Sequence, residues 1–170
     1  MNWHVATAAE AMAAAQFARF GYDVSVQYGP NQPGYDLTIS SPEGRMLKIS
    51  VKGSADGGWG LTQTMIREGN YHGAADEWLA RHKPGTAVCL VQFKGVDDDK
   101  MPRIYLASPT EIAVHLKAAR GGYGETSLKE SKTYGPKGVG AGAVDQIPDG
   151  WKMTRDRIAQ ILTNLAACRT

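Results

Sequence analysis

An α/β domain with a central mixed sheet of about five strands, flanked by helices, is the fold class this sequence predicts. Three observations predict it. Residues 3–20 are alanine-rich and free of Gly and Pro, as a helix requires. Residues 35–52 read as two alternating strands around a Pro42-Glu43-Gly44 turn. Thr86 to Phe93 (T-A-V-C-L-V-Q-F) is a continuous apolar run of the kind shown by a strand covered on both faces. Strands and helices that alternate in this way build a sheet with helices on both sides.

In chain order, Ala13, Phe17 and Phe20 fall at helical spacing in the first helix and mark its core side, with Glu10 at the head of the same stripe. A carboxylate on that stripe has two readings. Thr7-x-x-Glu10 fits a capping box, with Glu10 reaching back to the Thr7 amide; alternatively Glu10 points into a site beside the hairpin. Gly21 ends the helix. Tyr22 to Tyr28 then alternates as a strand, and residues 29–34 (G-P-N-Q-P-G) form a turn rich in breakers.

The hairpin follows, with strands Tyr35–Ser40 and Met46–Lys52. Side chains alternate between faces of a strand, so Leu47, Ile49 and Val51 point one way and Lys48, Ser50 and Lys52 the other. Packing both apolar faces on one core leaves Asp36, Ser50 and Lys52 together on the opposite side of adjacent strands. A carboxylate, a hydroxyl and an ammonium so placed make a candidate site; an Asp and a Lys on neighbouring strands also make a plain ion pair.

Residues 53–58 read as a flexible loop, 59–68 carry no clear pattern, and Ala74 to His82 reads as a second helix with Trp78 and Leu79 inward. Asp97-Asp98-Asp99 is a solvated turn before a strand at Arg103–Ala107. Ser108 or Thr110 caps a helix reaching about Arg120, with Ile112, Ala113 and Leu116 as its apolar side. Residues 121–150 hold eight glycines and no periodicity, and read as a long loop. Its Gly-rich piece, G-P-K-G-V-G-A-G, lacks the spacing and terminal Lys-Ser/Thr of a phosphate-cradling P-loop. A last helix from about Thr154 carries the stripe Ile158, Ile161, Leu162, Leu165.

The 170 residues suit one domain (1–170), with a core over 1–95 and an extension over 96–170. Apolar content of 42% and charged content of 21% are those of a soluble globular protein. No apolar run is long enough to span a membrane, no secretory leader is recognisable, and Cys89 and Cys168 read as reduced thiols, so a cytoplasmic setting is expected. Net charge is +2, but its distribution is uneven: residues 1–108 hold 10 basic against 11 acidic side chains, and residues 109–170 hold 9 against 6. Lys129, Lys132 and Lys137, with Lys152 and Arg155 in W-K-M-T-R-D-R, are the candidate phosphate contacts; a solvated basic face is the alternative. His4, His72, His82 and His115 show no zinc-type spacing, and there is no nucleophile elbow.

Taken together, Glu10 in the first helix, Asp36 in Q-P-G-Y-D, and Ser50-Val51-Lys52 in K-I-S-V-K resemble the PD-(D/E)XK nuclease superfamily, whose core order is helix, three strands, helix, strand (α-β-β-β-α-β). The resemblance covers residues 3–93. It implies a restriction-endonuclease-like fold and a Mg2+-dependent phosphodiesterase on nucleic acid, DNA ahead of RNA. Asp36 and Glu10 would be the metal ligands, with Mn2+ as an alternative ion, and Lys52 would stand near the attacking water. Ser50 departs from the pattern, since the family usually carries Glu or Gln there; a carbonyl near Ser50, or Asp56, would then supply the missing oxygen. The competing readings are an inactive nuclease-like module that binds nucleic acid or protein, and an unrelated α/β domain. A homodimer is left open.

Overall fold

The computed structural model describes residues 3–28 and 34–166. Its element order is α1 (Trp3–Arg19), β1 (Asp23–Val26), β2 (Leu37–Ser40), β3 (Met46–Ser54), β4 (Gly58–Gly60), α2 (Tyr71–Ala80), β5 (Thr86–Gln92), β6 (Arg103–Ala107), α3 (Pro109–Ala118), β7 (Ser127–Lys129), β8 (Ser131–Thr133), β9 (Val144–Gln146) and α4 (Arg155–Ala166). Five strands form one mixed sheet in the order β1-β2-β3-β5-β6. β3 and β5 run parallel, joined by the α2 crossover; the other pairs are antiparallel. The expected fold class is therefore the observed one.

Two cores follow from the alternation of β3 and β5. Leu47, Ile49 and Val51, with Ala87, Cys89 and Val91, pack under Ala9, Ala13 and Phe17 of α1 and Ile158, Ile161 and Leu162 of α4. Val88 and Leu90 face the other way, against Ala74, Ala75 and Trp78 of α2 and Ile112 and Leu116 of α3. All seven residues of β5 are buried, as its unbroken apolar sequence requires. The Pro42–Gly44 turn closes with the Gly44 amide donating to the Ser41 carbonyl at 2.8 Å. Gly44 has φ +83°, a left-handed conformation that glycine adopts without a Cβ penalty.

α3 begins with a full capping box between Ser108 and Glu111. α4 is pinned by the buried Arg157, whose Nε donates to the Leu106 carbonyl at 2.9 Å and whose Nη2 donates to Glu111 at 2.8 Å.

Several local expectations change. Thr7 lies inside α1, four residues past Trp3, so Thr7 and Glu10 do not form a helix-start capping box. α2 begins at Tyr71, because the Asn70 side chain accepts from the Gly73 amide and caps it. Residues 121–150 are not structureless: β7 pairs with β4 and β8 with β9, in three-residue strands too short to show periodicity. The β4–β7 ribbon lays Trp59 and Leu128 over the second core. Most of the 29–34 turn (residues 29–33) and Cys168 lie outside the described residues.

Candidate functional site

β2 pairs with β3 only from Ser40↔Met46 to Leu37↔Ile49, whereas β3 continues to Ser54 alongside β5. Beyond Ile49 the β2 side of β3 would therefore carry unpaired backbone donors, which is costly unless something else accepts. Asp36 fills that role. Its amide donates to the Ile49 carbonyl at 2.8 Å, and its Oδ2 accepts from the Val51 amide at 2.7 Å. The carboxylate is thus held in the fork where two strands diverge, by a backbone bond instead of by a lysine.

This open edge is the place where groups from both faces of the sheet meet. Lys52 is in register with Leu90, on the α2 face, and is exposed. Glu10 comes from α1, on the opposite face. The two share a cavity of about 410 Å³ with Asp36, Val51, Trp59 and Gln63. The Trp59 indole closes its wall by donating to the Lys52 carbonyl at 3.0 Å. Glu10 is held in place by a close helix–strand approach: a Cβ on Gly53 would lie 2.7 Å from the Ala9 Cβ and 2.9 Å from the Val5 carbonyl oxygen.

The electrostatics agree with that proximity. Burial raises the Glu10 carboxyl above the ordinary carboxylate range, and the negative charge of Asp36 raises it further, against an opposing effect of Lys52. His82, two residues past the end of α2, is also within electrostatic reach of Lys52. Burial lowers its pKa, and the Lys52 charge adds to that.

Ser50 is buried and does not line this cavity; it stands in register with Val88, whose side chain belongs to the second core. Asp56 is elsewhere too. Its Oδ1 accepts from the Gly58 amide at 3.1 Å and from the Ser54 hydroxyl at 3.0 Å, and these bonds hold its carboxyl low. Among the described residues, no group of three His, Cys, Asp or Glu side chains is arranged to hold a metal. Asp97, Asp98 and Asp99 are exposed in a turn, with Asp99 beside Lys100.

A second cavity, also about 410 Å³, shares Gly58, Gly60 and Gln63 with the first and contains Asp56, Lys94, Lys129 and Lys132. The basic candidates therefore separate. Lys129 and Lys132 stand next to the carboxylate cavity. Lys137 is exposed between β8 and β9. Lys152 is exposed with Asp149 at 3.6 Å, and Arg155 donates to the Phe20 carbonyl at 2.9 Å with its guanidinium over the Phe20 ring. Lys94 has no motif around it in the sequence, and only the tertiary fold brings it to this place.

The fold and site define a mixed α/β protein with a carboxylate pair and a lysine at an open strand edge. No known protein family, curated protein or solved structure matches this chain. Among the described residues no helix is long and apolar enough to cross a membrane.

Proposed function

We propose that the chain is a metal-dependent phosphodiesterase acting on nucleic acid, with Glu10 and Asp36 as ligands of Mg2+ or Mn2+. The observation that carries this reading is the convergence on one cavity of Glu10 from α1, Asp36 from just before β2, and Lys52 from β3. The donor set fits a hard divalent cation. Two carboxylates share a partly buried space in which one raises the pKa of the other, and a cation relieves that repulsion. Mg2+ characteristically binds through one or two carboxylates and keeps other positions for water and substrate phosphate. Such an ion supplies charge neutralisation and Lewis-acid polarisation of a phosphodiester.

Asp36 keeps its orientation through the Val51 amide, so one carboxylate oxygen is anchored while the other remains for a ligand. On this reading Lys52 donates a hydrogen bond to an attacking water and steadies negative charge developing on phosphoryl oxygens. The order helix, three strands, helix, strand over residues 3–92, apart from the short β4, supports the same reading.

Cleavage of a mixed DNA and RNA panel with Mg2+ or Mn2+ tests it. Wild type cleaves and Lys52→Ala does not, while calorimetry shows that metal binding survives in Lys52→Ala and is lost in Asp36→Ala. Equal cleavage by Lys52→Ala and wild type would sink the mechanism. Ser50, buried outside the cavity, brings no third carboxylate, and this favours a second reading: a nuclease-like module that binds without cutting. Wild type that binds nucleic acid but cleaves nothing with either ion selects that reading.

A further inference from the structure

The second cavity has the construction of an anion site. Lys94 follows β5, Lys129 closes β7 and Lys132 lies in β8, yet all three line one recess with Ser127 and Ser131. Among the described residues, none of the three ammonium groups lies within 4.0 Å of a carboxylate. Gathering like charges in a cleft is unfavourable by itself and focuses a positive potential that an anion offsets.

The recess is also held in shape. The fully buried Gln92 accepts, through one carboxamide oxygen, from the Gly57 amide at 3.3 Å and the Lys94 amide at 3.0 Å. Both walls are therefore tied to a single buried side chain. The glycines make room for the lysine stems: a Cβ on Gly57 would lie 3.2 Å from the Lys94 Cδ, and one on Gly58 would lie 3.4 Å from the Lys129 Cδ. Among the described residues Asp56 is the one carboxylate that lines the recess, while Glu125 and Glu130 act on Lys129 and Lys94 from outside it. The Asp56 Oδ1 is committed to the Ser54 hydroxyl and the Gly58 amide, which fixes the turn, and three cations still outnumber it.

We propose that Lys94, Lys129 and Lys132 form a subsite for a backbone phosphate of the strand whose neighbouring phosphate sits at Glu10, Asp36 and Lys52. The inference rests on the nuclease reading above and sharpens it. The shared wall of Gly58, Gly60 and Gln63 makes the two cavities adjacent stops along one chain of phosphates. The substrate is accordingly an oligonucleotide with consecutive phosphates, and an isolated small phosphodiester fills only half of the groove.

Fluorescence anisotropy of a labelled oligonucleotide, in EDTA so that no cleavage is needed, tests this on the full chain. The Lys94→Ala/Lys129→Ala variant loses at least tenfold in affinity at low salt. Its plot of log affinity against log salt flattens by about 0.7–0.9, the share of the one phosphate contact that the subsite makes. Lys117→Ala, on α3 beside Asp76 and outside both cavities, binds as wild type does. Circular dichroism confirms folding, and if the double variant does not fold, Lys132→Ala gives the same reading with a smaller loss. Inorganic phosphate and a mononucleotide displace the oligonucleotide only weakly at millimolar concentration.

Unchanged affinity and slope in the folded lysine variants overturns the subsite, and so does a wild type that binds no oligonucleotide. Complete displacement by low millimolar phosphate would make the recess a small-anion pocket and overturn the strand assignment. The nuclease reading fails separately, by absence of metal-supported cleavage in a wild type that still binds in EDTA.

Discussion

Replacing Gly53 by Ala probes the contact that sets Glu10 against Asp36. The added methyl would lie 2.7 Å from the Ala9 Cβ, 2.9 Å from the Val5 carbonyl oxygen and 3.1 Å from the Val5 Cγ1. Carbon atoms prefer about 3.5–4.0 Å, so α1 must retreat from β3 by roughly 1 Å. Two of these three atoms belong to backbone or Cβ positions and cannot rotate away. Overpacking of this kind costs about 1–3 kcal/mol, and the loss of glycine freedom in the unfolded chain returns about 0.4–1 kcal/mol. The net expectation is a destabilisation of about 1–2 kcal/mol, read as a lower urea midpoint with an unchanged slope. On the proposed phosphodiesterase reading, a displacement of Glu10 on this scale costs about 100-fold in cleavage. Adding Ala9→Gly removes the nearest clash, so the two substitutions should be less than additive, although Ala9→Gly alone costs about 1 kcal/mol of helix stability. A Gly53→Ala variant as stable as wild type would refute this account of how α1 is seated.

Three further outcomes are expected. Arg157→Leu leaves the Leu106 carbonyl without this donor and takes one of two donors from Glu111 Oε2, which keeps the Ser108 amide; the loss should be about 1–3 kcal/mol by urea unfolding, and a loss below about 0.5 kcal/mol would show the pin to be dispensable. Burial lowers His82 and His115 below the ordinary 6.5, so the folded protein resists protonating them. Their contribution is whole above about pH 6.5 and is lost as pH falls below it, and the fall in melting temperature from pH 7.5 to 5.5 should shrink in His115→Gln. Charge reversal at Lys152 and Arg155, which lie outside both cavities, should weaken oligonucleotide binding far less than loss of Lys94 and Lys129; a larger effect would move the interface to the start of α4.

The alternation of Met46–Lys52, the apolar run of β5 and the helical stripes of α1, α3 and α4 were legible because each is a repeat within a few residues. They state which side chains share a face, and that is enough to specify a mixed sheet with helices on both sides. The site was legible in part: Asp36 and Lys52 follow from strand parity, whereas the role of Glu10 stayed open between a cap and a cavity. Ser50 shares a face with Lys52, but parity alone does not say where a face is covered, and Ser50 lies beneath the second core while Lys52 reaches the open edge. Residues 58–60 and 127–129 carry no signal, because a three-residue strand has no measurable period and is stabilised by its distant partner. That pairing, together with the buried Gln92, brings Lys94 and Lys129 to one recess across 35 positions of chain. Local periodicity chooses the faces of each element; which faces meet, and where a strand is left open, depends on long-range packing that no short window of sequence contains.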